Sequence, residues 1–200
     1  MLDLLSTQLQ NHRPKSMQIE APQAAVLIAV TECHESPEII FTRRASHLNS
    51  HAGQVAFPGG KQDPEDRDLL ETALRESEEE IALSRDLVTP IGQLSQVLSH
   101  QGILVTPFVA KVPTSLELKV NEDELDAIFN VPLSFFRDTP PARFDCIKRG
   151  QHQIYLPSYD YQEYEIWGLS AWMLVELMNL LFDRKIDCFS RPQGIDVRER

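Results

Sequence analysis

Apolar residues along the chain fall into short blocks, and their periods alternate between strand and helix. Residues 24–30 (Ala-Ala-Val-Leu-Ile-Ala-Val) are apolar without a break and rich in branched side chains. This predicts a strand buried on both faces. Ile39–Thr42 reads as its hairpin partner across the polar turn 32–38, and Val55–Phe57 as a short strand stopped by Pro58-Gly59-Gly60. A helical period begins near Asp68 and ends near Leu83. Ile91–Leu98 and Val105–Val112 read as two further strands, Asp123–Phe129 as a short helix, and Pro132 as the start of a second short helix. Ile154–Leu156 and Glu165–Trp167 are weaker strands; Ser170–Phe182 is an amphipathic last helix with Ser170 as its N-cap. Residues 1–21 form a lead-in, helical or extended, and residues 183–200 a polar, mobile tail. Strands on both sides of a central helix predict one α/β domain over 1–200, layered as a sandwich around a core at about 22–182.

Composition narrows the classes. The chain has 200 residues, 42% of them hydrophobic, enough for one core of ordinary size. A formal net charge of −11 argues against nucleic acid or an anionic membrane as partner. An anionic small molecule then needs a local basic patch or bound cations. Cys33, Cys146 and Cys188 are too few and too far apart for a disulfide framework or a cysteine zinc site. The apolar window 169–182 carries Glu176 and is shorter than the ~20 residues of a membrane span. These features predict a soluble cytoplasmic protein.

Chemistry concentrates between Phe57 and Leu83. On a helix at about 100° per residue, with Glu76 set at 0°, Glu79 lies at about −60° and Glu80 at about +40°. Leu70, Ala73, Leu74, Ser77 and Ile81 fall between about 60° and 160°, a core-facing stripe. Three carboxylates within one arc repel each other, and a cation removes the conflict. Oxygen donors without cysteine or paired histidine favour Mg²⁺ or Mn²⁺. Arg75, four residues before Glu79, is placed to orient it, and Gly59 and Gly60 let backbone approach a metal or phosphate closely. Taken alone, the run Glu-Ser-Glu-Glu-Glu is most often a solvated helix face. The strand, the Pro-Gly-Gly turn and the acid-capped helix around it reverse that reading. Neither GxxxxGK[ST] nor GxGxxG occurs, which sets aside a P-loop or Rossmann site.

The segment resembles the Nudix box, G-x5-E-x7-R-E-U-x-E-E-x-G-U with U apolar. Counted from Gly60 the arginine comes one residue late, and the early box glutamate finds no clear counterpart. Ser77 stands at an apolar position and Ala82 at the box glycine, where a left-handed alanine is strained by roughly 1 kcal/mol. The resemblance implies a Nudix-type α/β/α sandwich with a mixed sheet, a metal-binding loop-helix-loop, and Glu76, Glu79 and Glu80 as metal ligands.

Upstream, Phe41-Thr-Arg-Arg-Ala-Ser-His-Leu-Asn-Ser-His-Ala-Gly-Gln-Val-Ala-Phe-Pro-Gly-Gly60 is similar to LLTxR(S)xxLxxHxGxVxFPGG, a pattern of the Nudix branch that cleaves coenzyme A and its thioesters. Val105–Val109, the run from Asn121 to Leu133, and Ile166–Ala171 match further elements of that branch, so the resemblance covers roughly 22–180. Independently, residues 39–62 carry Arg43, Arg44, Lys61, His47 and His51 and no acid, beside ten acids in 63–86. A basic stretch next to a carboxylate cluster suits a substrate with several phosphates. Arg43, Arg44, His51 and Lys61 are the substrate-binding candidates. His47 and His51 are four apart, but the loop around them and the lack of HExxH set zinc aside. The resemblance implies hydrolysis of a coenzyme A-type diphosphate; Glu124 is the candidate accessory ligand or base, with Glu80 and Glu79 as competitors for the base, and a monomer or homodimer is expected. A Nudix hydrolase of another nucleoside diphosphate derivative, or a non-catalytic Nudix-fold binding protein, remain the alternatives.

Overall fold

The computed structural model describes residues 1–48, 51–149 and 152–199. In chain order the elements are α1 (Leu2–Asn11), β1 (Gln23–Thr31), β2 (Glu38–Arg44), β3 (Val55–Ala56), β4 (Gly59–Lys61) and α2 (Leu69–Ile81). There follow β5 (Thr89–Gln93), β6 (Val97–Leu98), β7 (Leu104–Val112), β8 (Leu125–Pro132) and α3 (Leu133–Asp138). The chain ends in β9 (Arg143–Arg149), β10 (His152–Tyr161), β11 (Tyr164–Ile166), α4 (Gly168–Phe182) and β12 (Val197–Glu199).

β1 is the centre of a mixed sheet. It runs parallel to β7 and antiparallel to β2 and β4, and the sheet reads β3-β2-β1-β7-β5 with β8 added to β2. Odd positions of β1 (Ala25, Leu27, Ala29) pack under α2, with Ala73 and Ile81. Ile28 and Val30 face the other way, against α1 and α4. Cover on both faces is why residues 24–30 show no polar alternation. A second sheet, β11-β10-β9-β12, packs against α4 through β10.

Several sequence expectations need correction. Asp123–Phe129 is not a helix: from Leu125 it is strand β8, paired antiparallel with the whole of β2. Long-range pairing outweighs the local helical spacing of Asn121–Leu125. The strand expected over Ile91–Leu98 is broken into β5 and β6: Leu94 N–H still bonds Pro107 O of β7, but Ser95 N–H turns to Glu176 and Gln96 N–H to Lys15 O. Ser170 does not cap α4. Trp167 stands at the N-cap and its side chain makes no capping hydrogen bond, and the Ser170 hydroxyl donates to Val55 O at 3.1 Å, tying α4 to β3. The lead-in is a helix whose Leu2, Leu5 and Leu9 enter the core. The tail is anchored rather than free: Cys188 is buried and β12 pairs in parallel with β9.

Candidate active site

The site grows from the pairing of β4 with β1, in which Gly59 lies opposite Val26 and Gly60 opposite Ala25. A Cβ on Gly59 would come within 2.2 Å of Ala25 O and 2.6 Å of Val26 Cα, so only glycine allows the strands to meet. A Cβ on Gly60 would lie 2.3 Å from the Glu76 carboxyl carbon. The second glycine therefore clears the space that the Glu76 carboxylate occupies over β4. Beyond the glycines the chain turns into α2, whose first turn is capped by Asp68 accepting from Glu71 N–H at 2.8 Å.

Along α2 the buried residues are Thr72, Ala73, Ser77, Glu80 and Ile81. Leu70 and Leu74, assigned to the core stripe from sequence, are half-buried. Glu80 is the unusual member, 3% exposed, its Oε2 accepting from Gly59 N–H at 3.0 Å. Ser77 is satisfied inside the helix, donating to Ala73 O at 2.6 Å. Ala82 closes the helix in the left-handed region at φ 55°, ψ 30°, with its N–H on Glu78 O. The strain foreseen for alanine at the box glycine is thus present, at roughly 1 kcal/mol.

Arg75 is the hub. Its guanidinium donates to both oxygens of Asp66 at 3.0 Å, to Glu76 at 3.0 Å, to Glu79 at 3.2 Å and to Lys61 O at 3.2 Å. Asp66, only 3% exposed, also accepts from the Thr72 hydroxyl at 2.8 Å. The bonds from Arg75 hold the Asp66 carboxyl well below the usual carboxylate range, and the same bonds hold Arg75 above its ordinary value. Sequence reasoning found no clear counterpart of the early box glutamate, and Asp66 takes that place in space. The signal was its place six residues after Gly60, the spacing of the early box glutamate.

Two of the three glutamates sit uneasily as anions. Burial pushes Glu80 up to about 7, with repulsion from Glu76 and Glu124 adding to it, and the Gly59 N–H and Arg44 opposing. Burial also raises Glu76, against the pull of Arg75. Glu79 is 57% exposed at the side chain. Glu124 stands exposed at the rim, fixed by its N–H on Asn121 O and its carbonyl on Ala45 N–H. Among the described residues no three acidic, histidine or cysteine side chains converge as a ready-made coordination shell. Glu76 and Glu79 instead turn to Arg75, and Glu80 to Gly59. The donor set fits a hard divalent cation: all carboxylate oxygens, mutually repelling, and partly desolvated.

Arg43 and Arg44 lie at the end of β2, opposite Ala127 and Leu125 of β8. Successive strand residues point to opposite faces. Arg44 shares the α2 face with Ile40, and its charge is felt by Glu80. Arg43 shares the other face with Phe41, lying 5.6 Å from the Tyr164 ring centre and 3.8 Å from Asp126. The buried Nε of each arginine has no hydrogen-bond partner among the described residues. Lys61 is exposed beside the site and lends its carbonyl to Arg75. His51, at φ 55°, accepts from the Gln101 amide at 2.9 Å on Nε2 and pairs through Nδ1 with Gln54 Oε1 at 2.7 Å. Both ring nitrogens are therefore spent on joining two loops. His47 is turned to Asp123 O at 3.3 Å.

The comparisons agree with this geometry. A NUDIX domain matches residues 21–144. An uncharacterized Nudix hydrolase NudL of Yersinia enterocolitica is 44% identical over 166 residues, 82% of this chain and 84% of that protein. Its namesake from Photorhabdus laumondii is 43% identical over 166 residues, 82% of this chain and 87% of that protein. Among solved structures, a MutT/nudix family protein from Enterococcus faecalis superposes over 92% of this chain and 70% of its own with TM-score 0.54 and 13% identity, a likeness of fold. The chain belongs to the Nudix hydrolase family. Its members act on small-molecule nucleoside diphosphate derivatives and generally use divalent metals such as Mg²⁺ or Mn²⁺. Among the described residues no helix is long and apolar enough to cross a membrane.

Proposed function

We propose that this chain hydrolyses the diphosphate of coenzyme A or a derivative, giving 3′,5′-ADP and 4′-phosphopantetheine or its acyl form. The observation that carries the reading is the pair Arg43 and Arg44. They occupy one strand end but opposite faces, and each holds a buried Nε with no hydrogen-bond partner among the described residues. Buried donors of this kind call for an acceptor. A substrate with a diphosphate and a separate 3′-phosphate supplies two. Arg44, on the carboxylate side, faces the diphosphate; Arg43, beside Tyr164, faces the 3′-phosphate.

Glu76, Glu79 and Glu80 are the residues that would hold Mg²⁺ or Mn²⁺. Such a cation would supply charge to offset the diphosphate and to lower the pKa of a water. Arg75 holds Glu76 and Glu79 in register with β4. Lys61 and Arg44 add positive charge beside the phosphates. Glu124, at the rim and unencumbered by Arg75, takes the proton as water adds to one phosphorus and the bridging oxygen leaves with its electron pair.

The test is direct. Purified protein is incubated with coenzyme A, ADP-ribose or NADH, each with Mg²⁺ or Mn²⁺, and the products are separated. Release of 3′,5′-ADP from coenzyme A is expected; much faster turnover of ADP-ribose overturns the assignment. Arg43→Ala should lose more activity toward coenzyme A than toward its 3′-dephospho form, and equal losses remove the role given to Arg43.

A further inference from the structure

The NUDIX match ends at residue 144, and β11 lies beyond it, yet β11 delivers a side chain to the strand end where Arg43 stands. β10 and β11 meet in a tight turn at Gln162 and Glu163, with Gln162 at φ 54°. Tyr164 follows the turn, opposite Tyr161, and Ile166 lies opposite Tyr159. Ile166 and Tyr159 are buried, so the hairpin is rooted in the core. Its turn end lays the Tyr164 ring flat on Phe129, with centroids 3.7 Å apart and planes 3° from parallel. Phe129 pairs across the strands with Phe41, their rings stacked at 5.7 Å, and Phe41 stacks on Phe57 at 4.8 Å. Phe41 and Phe57 are buried, whereas Phe129 and Tyr164 are half-buried. A column of rings thus runs outward from the core, and Tyr164 is its last member.

Arg43 lies against that last ring, its guanidinium carbon 5.6 Å from the Tyr164 centre. Its other contacts leave it unspent. Asp126 Oδ2 approaches Arg43 Nη2 only to 3.8 Å, beyond hydrogen-bond reach, and that same oxygen already accepts from Ser46 N–H at 3.0 Å. The buried Nε of Arg43 has no hydrogen-bond partner among the described residues. A ring attracts a cation through its quadrupole and does not use up the N–H donors as a carboxylate would. The guanidinium is therefore held in place while its donors stay available for an anion.

We infer that Tyr164 is a positioning residue that holds Arg43 for the 3′-phosphate of the substrate, so that part of substrate selection is built by the chain beyond residue 144. The inference rests on the coenzyme A reading above. Tyr164 acts through Arg43, so its ring matters and its hydroxyl does not. Without the ring, Arg43 regains the rotamer freedom of a long side chain and must lose it again on binding. The loss falls on recognition of the 3′-phosphate. It does not fall on the carboxylates, which lie on the other face of the sheet.

The experiment measures kcat and KM for coenzyme A and 3′-dephospho-coenzyme A in the native chain, Tyr164→Leu, Tyr164→Phe, Arg43→Ala and the double variant of Tyr164→Leu with Arg43→Ala. Tyr164→Leu should raise KM for coenzyme A about fivefold, with kcat within about twofold and the dephospho substrate little affected. Tyr164→Phe, which keeps the ring, should restore the native KM. In the Arg43→Ala background Tyr164→Leu should add nothing, because the group it positions is gone. Inhibition by 3′,5′-ADP and by 5′-AMP reads the same contact without turnover: Tyr164→Leu should weaken the first about fivefold and the second little. Equal losses toward both substrates, or a further loss in the Arg43→Ala background, overturn the positioning role while leaving the coenzyme A reading intact. If the native chain hydrolyses ADP-ribose and not coenzyme A, the parent reading falls and takes this role with it.

Discussion

Gly59 and Gly60 are adjacent, yet replacing each with alanine should break different things. At Gly60 the new Cβ would stand 2.3–2.5 Å from the three terminal atoms of Glu76 and from no backbone atom among its nearest neighbours. Ordinary contact needs about 3.4 Å or more, so the carboxylate must retreat by about 1 Å. The side chain can do so by leaving its rotamer, which costs roughly 0.5–1.5 kcal/mol. A displacement of that size at a catalytic centre costs on the order of 10²-fold in rate. Gly60→Ala should therefore fold, with a small stability loss, but lose about two orders of magnitude in kcat and bind Mn²⁺ more weakly. At Gly59 the clash is with Ala25 O and Val26 Cα, which are main chain and cannot turn aside, and φ is 150°. Gly59→Ala should cost roughly 1–3 kcal/mol or more in stability through strain and overpacking. Urea unfolding, Mn²⁺ titration by electron paramagnetic resonance and steady-state kinetics on both variants separate the effects. Gly60→Ala with native kcat and native Mn²⁺ affinity would refute the claim that Glu76 needs the space over β4.

Asp66→Asn removes the anion that anchors Arg75 and should cost about 2–3 kcal/mol, the worth of charge-assisted hydrogen bonds, read by urea unfolding. Because Asp66 is depressed in the folded protein, its stabilisation is present above its unfolded value near 4 and is lost as pH falls below that. The stability gap between native chain and Asp66→Asn should be constant from pH 7 to 5 and shrink below pH 4; a gap that widens in acid contradicts the pairing. Burial pushes the Cys188 thiol up to about 12, so iodoacetamide at pH 8 should label Cys33 in the folded protein and reach Cys146 and Cys188 only after unfolding, as mass spectrometry would show. Glu124→Gln should lower kcat while leaving Mn²⁺ affinity within about twofold, and an unchanged kcat would return the base role to Glu79 or Glu80.

How far the sequence carried these arguments depended on the range of the interaction involved. The capped helix, its carboxylate arc and the Pro-Gly-Gly turn are local, and each was legible. Glu80 was nearly so: on the helical wheel it lies about 20° from the buried stripe, which is why it is at once a core residue and a ligand candidate. The lysine and arginine positions were legible as charge but not as direction. Ending β2 at Thr42 left Arg43 and Arg44 in a loop, where faces have no meaning. Pairing with β8 extends the strand to Arg44, and that extension alone sends the two side chains to opposite sides of the sheet. The pairing was invisible because Asp123–Phe129 has helical spacing, so the same misreading hid both the strand and the arginines' separation.

The same long-range pairing shapes the sheet beside the site. If β8 were a helix, β2 would end as an edge near the carboxylate cluster. As a strand it sets Ile128 beside Ile40, and residues 114–120 lay Leu116, Leu118 and Val120 against the cluster these share with α2. Leu116, Leu118 and Val120 are half-buried there and line a groove of about 340 Å³. A box of glutamates, fixed locally by Arg75 and two glycines, defines a diphosphate chemistry shared across the family. Discrimination among substrates then falls to residues outside that box, and we propose the Arg43 guanidinium beside Tyr164 as one of them.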